Sequence, residues 1–221
     1  MRYWKGEVSD VVISVKKSGL LIFLILVGVA SLLAQAKIDA KEYDVYATVL
    51  KEIYKHNRAT YTGKSEFVFI NQTKVDPELE LPKTRKYRSL VNDFKRKNLS
   101  PGTVERKFPR GAYSESYQLV PQAEIDVINE KARLEYEKRY AVEKLDPSVG
   151  NPGGWSWATF YQRYPDASGY YYLSRVGFTG QFAIVHVKGD LGWNGFSRIY
   201  ILKKVKGKWK TINFSGIEWR A

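Results

Sequence analysis

The apolar residues of this chain change their spacing several times, and each change marks an element. Residues 18–36, Ser-Gly-Leu-Leu-Ile-Phe-Leu-Ile-Leu-Val-Gly-Val-Ala-Ser-Leu-Leu-Ala-Gln-Ala, carry no charge at all. Over residues 41–56 the pattern opens out. Val45, Val49 and Ile53, with Tyr46 and Leu50, recur at helical spacing and predict an amphipathic helix. Residues 65–71, Ser-Glu-Phe-Val-Phe-Ile-Asn, are rich in aromatic and β-branched types and predict a strand. Residues 87–98 give a short helix with Leu90, Val91 and Phe94 on one side, ended by Pro101-Gly102. Residues 104–117 read as irregular. The longest helix is predicted over residues 121–145, where Pro121 suits a first turn and Ile125, Ile128, Ala132 and Leu134 support burial.

The second half begins with Asp146-Pro147-Ser148-Val149-Gly150-Asn151-Pro152-Gly153-Gly154, where proline and glycine deny regular structure and mark a hinge inside one domain. Residues 155–164 predict a compact helix that stops at Pro165. Strands follow at residues 169–178, 181–188, 196–205 and 208–219. Turns at Thr179-Gly180 and Lys206-Gly207 join neighbours as an antiparallel meander requires. Residues 189–195 form a longer hairpin loop carrying Trp193. The expected fold is α+β, with N-terminal helices packed on a C-terminal antiparallel β-meander and a hydrophobic signal or anchor segment in front.

That leading segment sets the expected address. Lys16-Lys17, the apolar middle and Ala34-Gln35-Ala36 form the signature of a secretory signal peptide cleaved before Lys37. An N-terminal membrane anchor is the alternative, because residues 18–36 as a helix span about 28 Å against a hydrocarbon core of ~30 Å. In both cases the two lysines hold the start inside, so the remainder emerges on the far side, periplasmic, secreted or anchored in the inner membrane. The expected organisation is residues 1–36 as signal or anchor and residues 37–221 as a single α+β domain.

Composition narrows the chemistry. The whole chain carries 36 basic and 23 acidic side chains, and residues 37–221 keep a net charge of +11. The excess is dispersed, with local concentration at residues 83–97 and 203–210; it reads first as solvated surface charge, and the alternative is contact with an anionic envelope polymer or lipid surface. Export removes nucleic acid from the expected partners. No cysteine is present and only His56 and His186 supply imidazoles. Thiol catalysis, thiolate metal sites and a three-histidine zinc site are thereby excluded. No Gly-x-Ser-x-Gly, His-Glu-x-x-His or Gly-x-x-x-x-Gly-Lys-Ser/Thr motif occurs, so no catalytic residue, metal or cofactor is expected.

Trp155, Phe160, Tyr161, Tyr164-Pro165, Ser168-Gly169, Leu173-Ser174-Arg175-Val176-Gly177-Phe178, residues 183–187 and Gly207-Lys208-Trp209-Lys210 form one recurring pattern. Tyr43, Val45, Tyr46, Val49 and Leu50 match its opening helix. In these residues the chain resembles a family of uncharacterised exported bacterial proteins. The resemblance implies a fold and no chemistry. Many members carry a Cys-Gly-Gly-x-Cys-Gly hairpin where this chain has Gly189-Asp190-Leu191-Gly192-Trp193-Asn194-Gly195, so this loop is not stapled. Gly207 to Lys210 is also similar to the closing hairpin of cone-shaped nuclear-transport-factor-like domains.

Four residues are candidate contacts. Arg175 lies where strand alternation puts Leu173, Arg175 and Gly177 on one face, and a guanidinium there binds carboxylate or phosphate at two points, or else pairs with a structural acid. His186 lies opposite Val185 and Val187, and no serine or acid near it in sequence forms a readable triad. Trp193 and Asn194 occupy the glycine-rich hairpin loop, the natural place for an exposed contact. Trp155, Trp157, Phe160, Tyr161, Tyr164 and residues 170–172 form an aromatic cluster that fits a helix lying across a sheet, with a groove that stacks sugar rings or peptide side chains as the alternative. The functional expectation is a non-enzymatic, envelope-associated binding or interaction module. The alternative is a small extracytoplasmic hydrolase or isomerase-like enzyme, with a pocket between the aromatic helix and the sheet and Arg175 and His186 facing it.

Overall fold

A computed structural model describes residues 36–60, 66–105, 108, 117–143, 152–192 and 194–220. The chain divides between Ala36 and Lys37 into two units, and everything below concerns the second. The predicted signal or anchor segment and most of the predicted hinge lie outside the described residues. Among those described, no helix is long and apolar enough to cross a membrane.

The unit is α+β. Its main elements are α1 (Ala40–Thr60), β1 (Glu66–Ile70), α2 (Arg88–Lys97), β2 (Tyr117–Val120), α3 (Gln122–Glu143), α4 (Pro152–Arg163), β3 (Ala167–Leu173), β4 (Gly177–Thr179), β5 (Phe182–Asp190), β6 (Asn194–Val205) and β7 (Lys208–Arg220). The strands form one seven-stranded sheet in the order β2-β1-β3-β5-β6-β7, and β4 pairs with β5 beside that path. From β3 onward the pairing is antiparallel, as the meander reading expects.

The sheet extends beyond the expected antiparallel meander and is mixed. The strand predicted at residues 65–71 enters the sheet as β1, parallel to both neighbours, β2 and β3. Parallel neighbours require long crossovers, and α2, α3 and α4 lie along the intervening chain. The sequence explains why β1 takes an inner place. Phe67, Val68, Phe69 and Ile70 are apolar without alternation, as suits a strand covered on both faces, and all four are buried. β2 falls at the end of the stretch read as irregular. Pro152-Gly153-Gly154, placed in the predicted hinge, form the first turn of α4 instead, where proline costs no helical hydrogen bond.

Alternation along the strands sorts the core onto two faces. On one face, Val45, Tyr46, Val49, Leu50 and Ile53 of α1 cluster with Phe67, Phe69, Tyr171, Val185, Val187, Tyr200 and Leu202. On the other, Ile125, Ile128, Phe160 and Tyr164 of α3 and α4 cluster with Val68, Ile70 and Tyr172. Leu90, Val91 and Phe94 of α2 cluster with Ile184, Ile199 and Ile201. α2 rides close over Gly177, where an added Cβ would fall 2.7 Å from the Phe94 backbone. The β6–β7 hairpin closes through Lys206 and Gly207, both at positive φ (50° and 79°), as a two-residue turn matched to strand twist demands.

Candidate functional site

Arg175 lies on Ser174–Val176, a short break between β3 and β4, so the expected alternation through Leu173, Arg175 and Gly177 does not hold. Its guanidinium is claimed by Glu42 of α1. Nη2 donates to Oε1 at 2.8 Å and Nε reaches both carboxylate oxygens at 3.2 and 3.3 Å. Glu42 is fully buried and also accepts the Val176 N–H at 2.8 Å. Lys97 Nζ stands 3.9 Å from the same carboxylate and donates to the Val176 carbonyl at 2.9 Å. The Asn98 amide clamps the Arg175 backbone at both N–H and C=O. The Glu42 hydrogen bonds raise the Arg175 pKa, outweighing burial. This is a tie between α1, the break and the end of α2. It leaves Arg175 8 % exposed and its charge answered.

His186 is fully buried on β5. Its Nε2 lies 2.9 Å from Ser197 Oγ on β6, and its backbone N–H donates to Ser174 Oγ at 2.8 Å. Sequence distance hid the Ser197 partner, because cross-strand register alone brings it alongside. Burial pushes the imidazole pKa down to about 4, with the Asp76 carboxylate pulling the other way. The ring is therefore neutral near neutral pH and bonds a hydroxyl that is itself only 2 % exposed. Trp193 lies outside the described residues. Asn194 opens β6, and its carbonyl accepts the Leu191 N–H at 2.8 Å. β5 runs to Asp190 and β6 starts at Asn194, so Gly189, Asp190, Asn194 and Gly195, expected in the loop, belong to strands.

The aromatic helix leaves little room on the sheet. Trp157 stacks on Tyr170 with ring centres 5.1 Å apart, and Phe160 meets Tyr170 at 5.4 Å and Tyr164 at 5.1 Å. Ring edges and faces are paired throughout this layer.

A different site emerges at the other side of the sheet. Two adjoining grooves, about 690 and 440 Å³, share Glu52 and Thr211 as lining. The first lies between the exposed side of α1 and the β6–β7 turn. Lys51 and Lys55 face it from the helix, Lys208 and Lys210 from the strand, against only Asp44 and Glu52, with Trp209 among the lysines. Lys204 rests over the Trp209 ring at 5.5 Å. The second groove contains Arg198, Tyr200 and Phe214. The Arg198 guanidinium lies 4.9 Å from the Phe196 ring centre and pairs with Glu218, while Tyr200 and Phe214 stack at 6.1 Å. Four ammonium groups around an indole attract anions at long range and offer a flat apolar surface at contact.

The lysine concentration at residues 203–210 was visible in the sequence. Nothing local told which helix would lie beside it, so Lys51 and Lys55 stood out only as the polar side of an amphipathic helix. Among the described residues, no group of three or more His, Asp or Glu is placed to hold a metal ion. Comparison with protein-family profiles, curated proteins and solved structures yields no match to this chain.

Proposed function

We propose that residues 37–221 act as a non-enzymatic binding module beyond the cytoplasmic membrane, carried there by the segment at residues 18–36. The module holds an anionic, envelope-associated partner in the basic groove between α1 and the β6–β7 hairpin. The convergence of Lys51, Lys55, Lys208 and Lys210 around Trp209 carries this reading, since residues more than 150 positions apart supply one sign of charge to one groove. Support also comes from the two candidates of the enzyme alternative: Arg175 is answered by Glu42 and His186 is enclosed with Ser197. The enzyme reading needs open space beside both.

The test uses the protein purified from the envelope fraction, with polyglutamate and phosphatidylglycerol vesicles as anionic probes and phosphatidylcholine vesicles as the neutral control. Binding to an anionic probe is expected at low salt and falls steeply as added salt shortens the reach of the lysines. A Lys51→Glu, Lys210→Glu variant should bind at least about ten-fold more weakly with an unchanged fold. Equal binding by the variant, or equal binding to the neutral vesicles, overturns the proposal.

A further inference from the structure

We infer that the two adjoining grooves along β7 together hold a linear acidic polysaccharide, with charged groups over the lysines and a sugar ring on Phe214. This rests on the anionic-partner reading above and names the partner's chemical class.

A break in the ladder gives the two grooves a common floor. Trp209 pairs with Lys204, Thr211 with Leu202 and Phe214 with Tyr200, while Ile212 is the extra residue where the β6–β7 register shifts. Trp209 and Phe214 are an odd number of positions apart, so strict alternation would send them to opposite faces. The bulge restores the phase and brings both to the α1 side, with Tyr200 and Leu202. Counted along β6, strand rise sets the two positions about 14 Å apart. Phe214 is 60 % exposed, with the Tyr200 ring stacked against it at 6.1 Å.

Charge is spread unevenly along that floor, and its distribution selects the occupant. Lys51, Lys55, Lys208 and Lys210 line the groove around Trp209. Among the described residues, no lysine lines the groove around Phe214, and its Arg198 is already engaged by Glu218. Glu52 lines both grooves, so a carboxylate stands where one passes into the other. A chain with a negative charge on every unit meets repulsion at Glu52 and fills the lysine groove alone. A chain whose anionic groups are separated by neutral, hydroxylated units finds a hydrogen-bond acceptor there instead.

The aromatic platform points the same way. A pyranose shows C–H groups on its face and hydroxyls around its rim, which suits an aromatic floor with polar neighbours. Asn213 lines the Phe214 groove, and its amide both donates to and accepts from hydroxyl groups. Polyglutamate has no ring for Phe214, and a bilayer presents its charge in a plane instead of along a groove.

The test titrates the full-length protein with a hyaluronate oligosaccharide, in which glucuronate alternates with a neutral acetylated amino sugar. Polyglutamate and oligothymidylate of equal charge serve as the competing chemistries. Hyaluronate should bind about ten-fold more tightly than polyglutamate. Phe214→Ser should remove that advantage and Phe214→Trp should keep it, with polyglutamate binding unchanged in both. Glu52→Gln should strengthen polyglutamate binding and leave hyaluronate nearly unchanged. Equal affinity for these two probes in the natural protein, or an undiminished advantage in Phe214→Ser, overturns the glycan inference and leaves the anionic-partner reading standing. Oligothymidylate bound more tightly than hyaluronate, with the same dependence on Phe214, assigns the grooves to single-stranded nucleic acid and also overturns it. No binding of any of the three probes defeats both.

Discussion

Val185 on β5 and Phe214 on β7 are separated by two strand spacings, about 10 Å, yet Val185 is fully buried and Phe214 mostly exposed. Charged groups divide the same way. Glu42 and Arg175 answer each other inside the fold with Val176, Lys97 and Asn98 committed around them, whereas Lys208 and Lys210 stand at the surface. A guanidinium flanked by a buried carboxylate holds secondary structure together, and surface ammonium groups gathered around an indole are available to something else. Within the same fold, charge committed to buried partners is thus set apart from charge left at the surface beside the last strand.

The strongest way to break that contrast is to cut the interior tie. Glu42→Gln or Arg175→Met alone should cost about 3–5 kcal/mol in urea denaturation, because each leaves one buried polar partner unanswered. Replacing both with apolar residues of similar volume should recover much of the loss. A single-variant cost below that of a surface lysine change would erase the distinction.

His186 gives the next largest effect. Its folded pKa of about 4 lies below the ordinary value of 6.5, so the unfolded chain binds a proton that the folded protein refuses. The stabilising contribution is present above pH 6.5 and is lost as the pH falls from there towards 4. Two and a half pH units correspond to about 3 kcal/mol. Denaturation midpoints measured between pH 7 and pH 4 should fall more steeply in the natural protein than in His186→Gln, and parallel slopes would contradict the buried neutral ring.

At the small end, Phe214→Ser or Lys210→Glu should change stability by no more than about 0.5 kcal/mol while altering binding. A larger loss by thermal melting would place β7 with the core and not with the surface.

Local pattern revealed the elements better than their partners. Val45, Val49 and Ile53 announced α1 and its buried side, and Lys206-Gly207 announced the hairpin. The parallel placement of β1 was hidden, since its neighbours on either side come from residues 117–120 and 167–171 and no turn signal links them. Glu42 looked like any solvated helix acid until Arg175 arrived from 133 residues away. The groove was half legible: its strand lysines form a run, while its helix lysines acquire meaning only from what packs beside them.

The inner position of β1, between β2 and β3, also carries an expected order of assembly. β5 pairs with β6 and β6 with β7, so those two hairpins close short loops and should nucleate quickly. β1 must wait for β3, roughly a hundred residues further along, and the long closure delays its entry. Phe67, Val68, Phe69 and Ile70 precede their β3 partners by that length of chain, so they should be the last core residues shielded. Pulsed hydrogen exchange during refolding should therefore show those four amides gaining protection after the β5–β6 and β6–β7 hairpins.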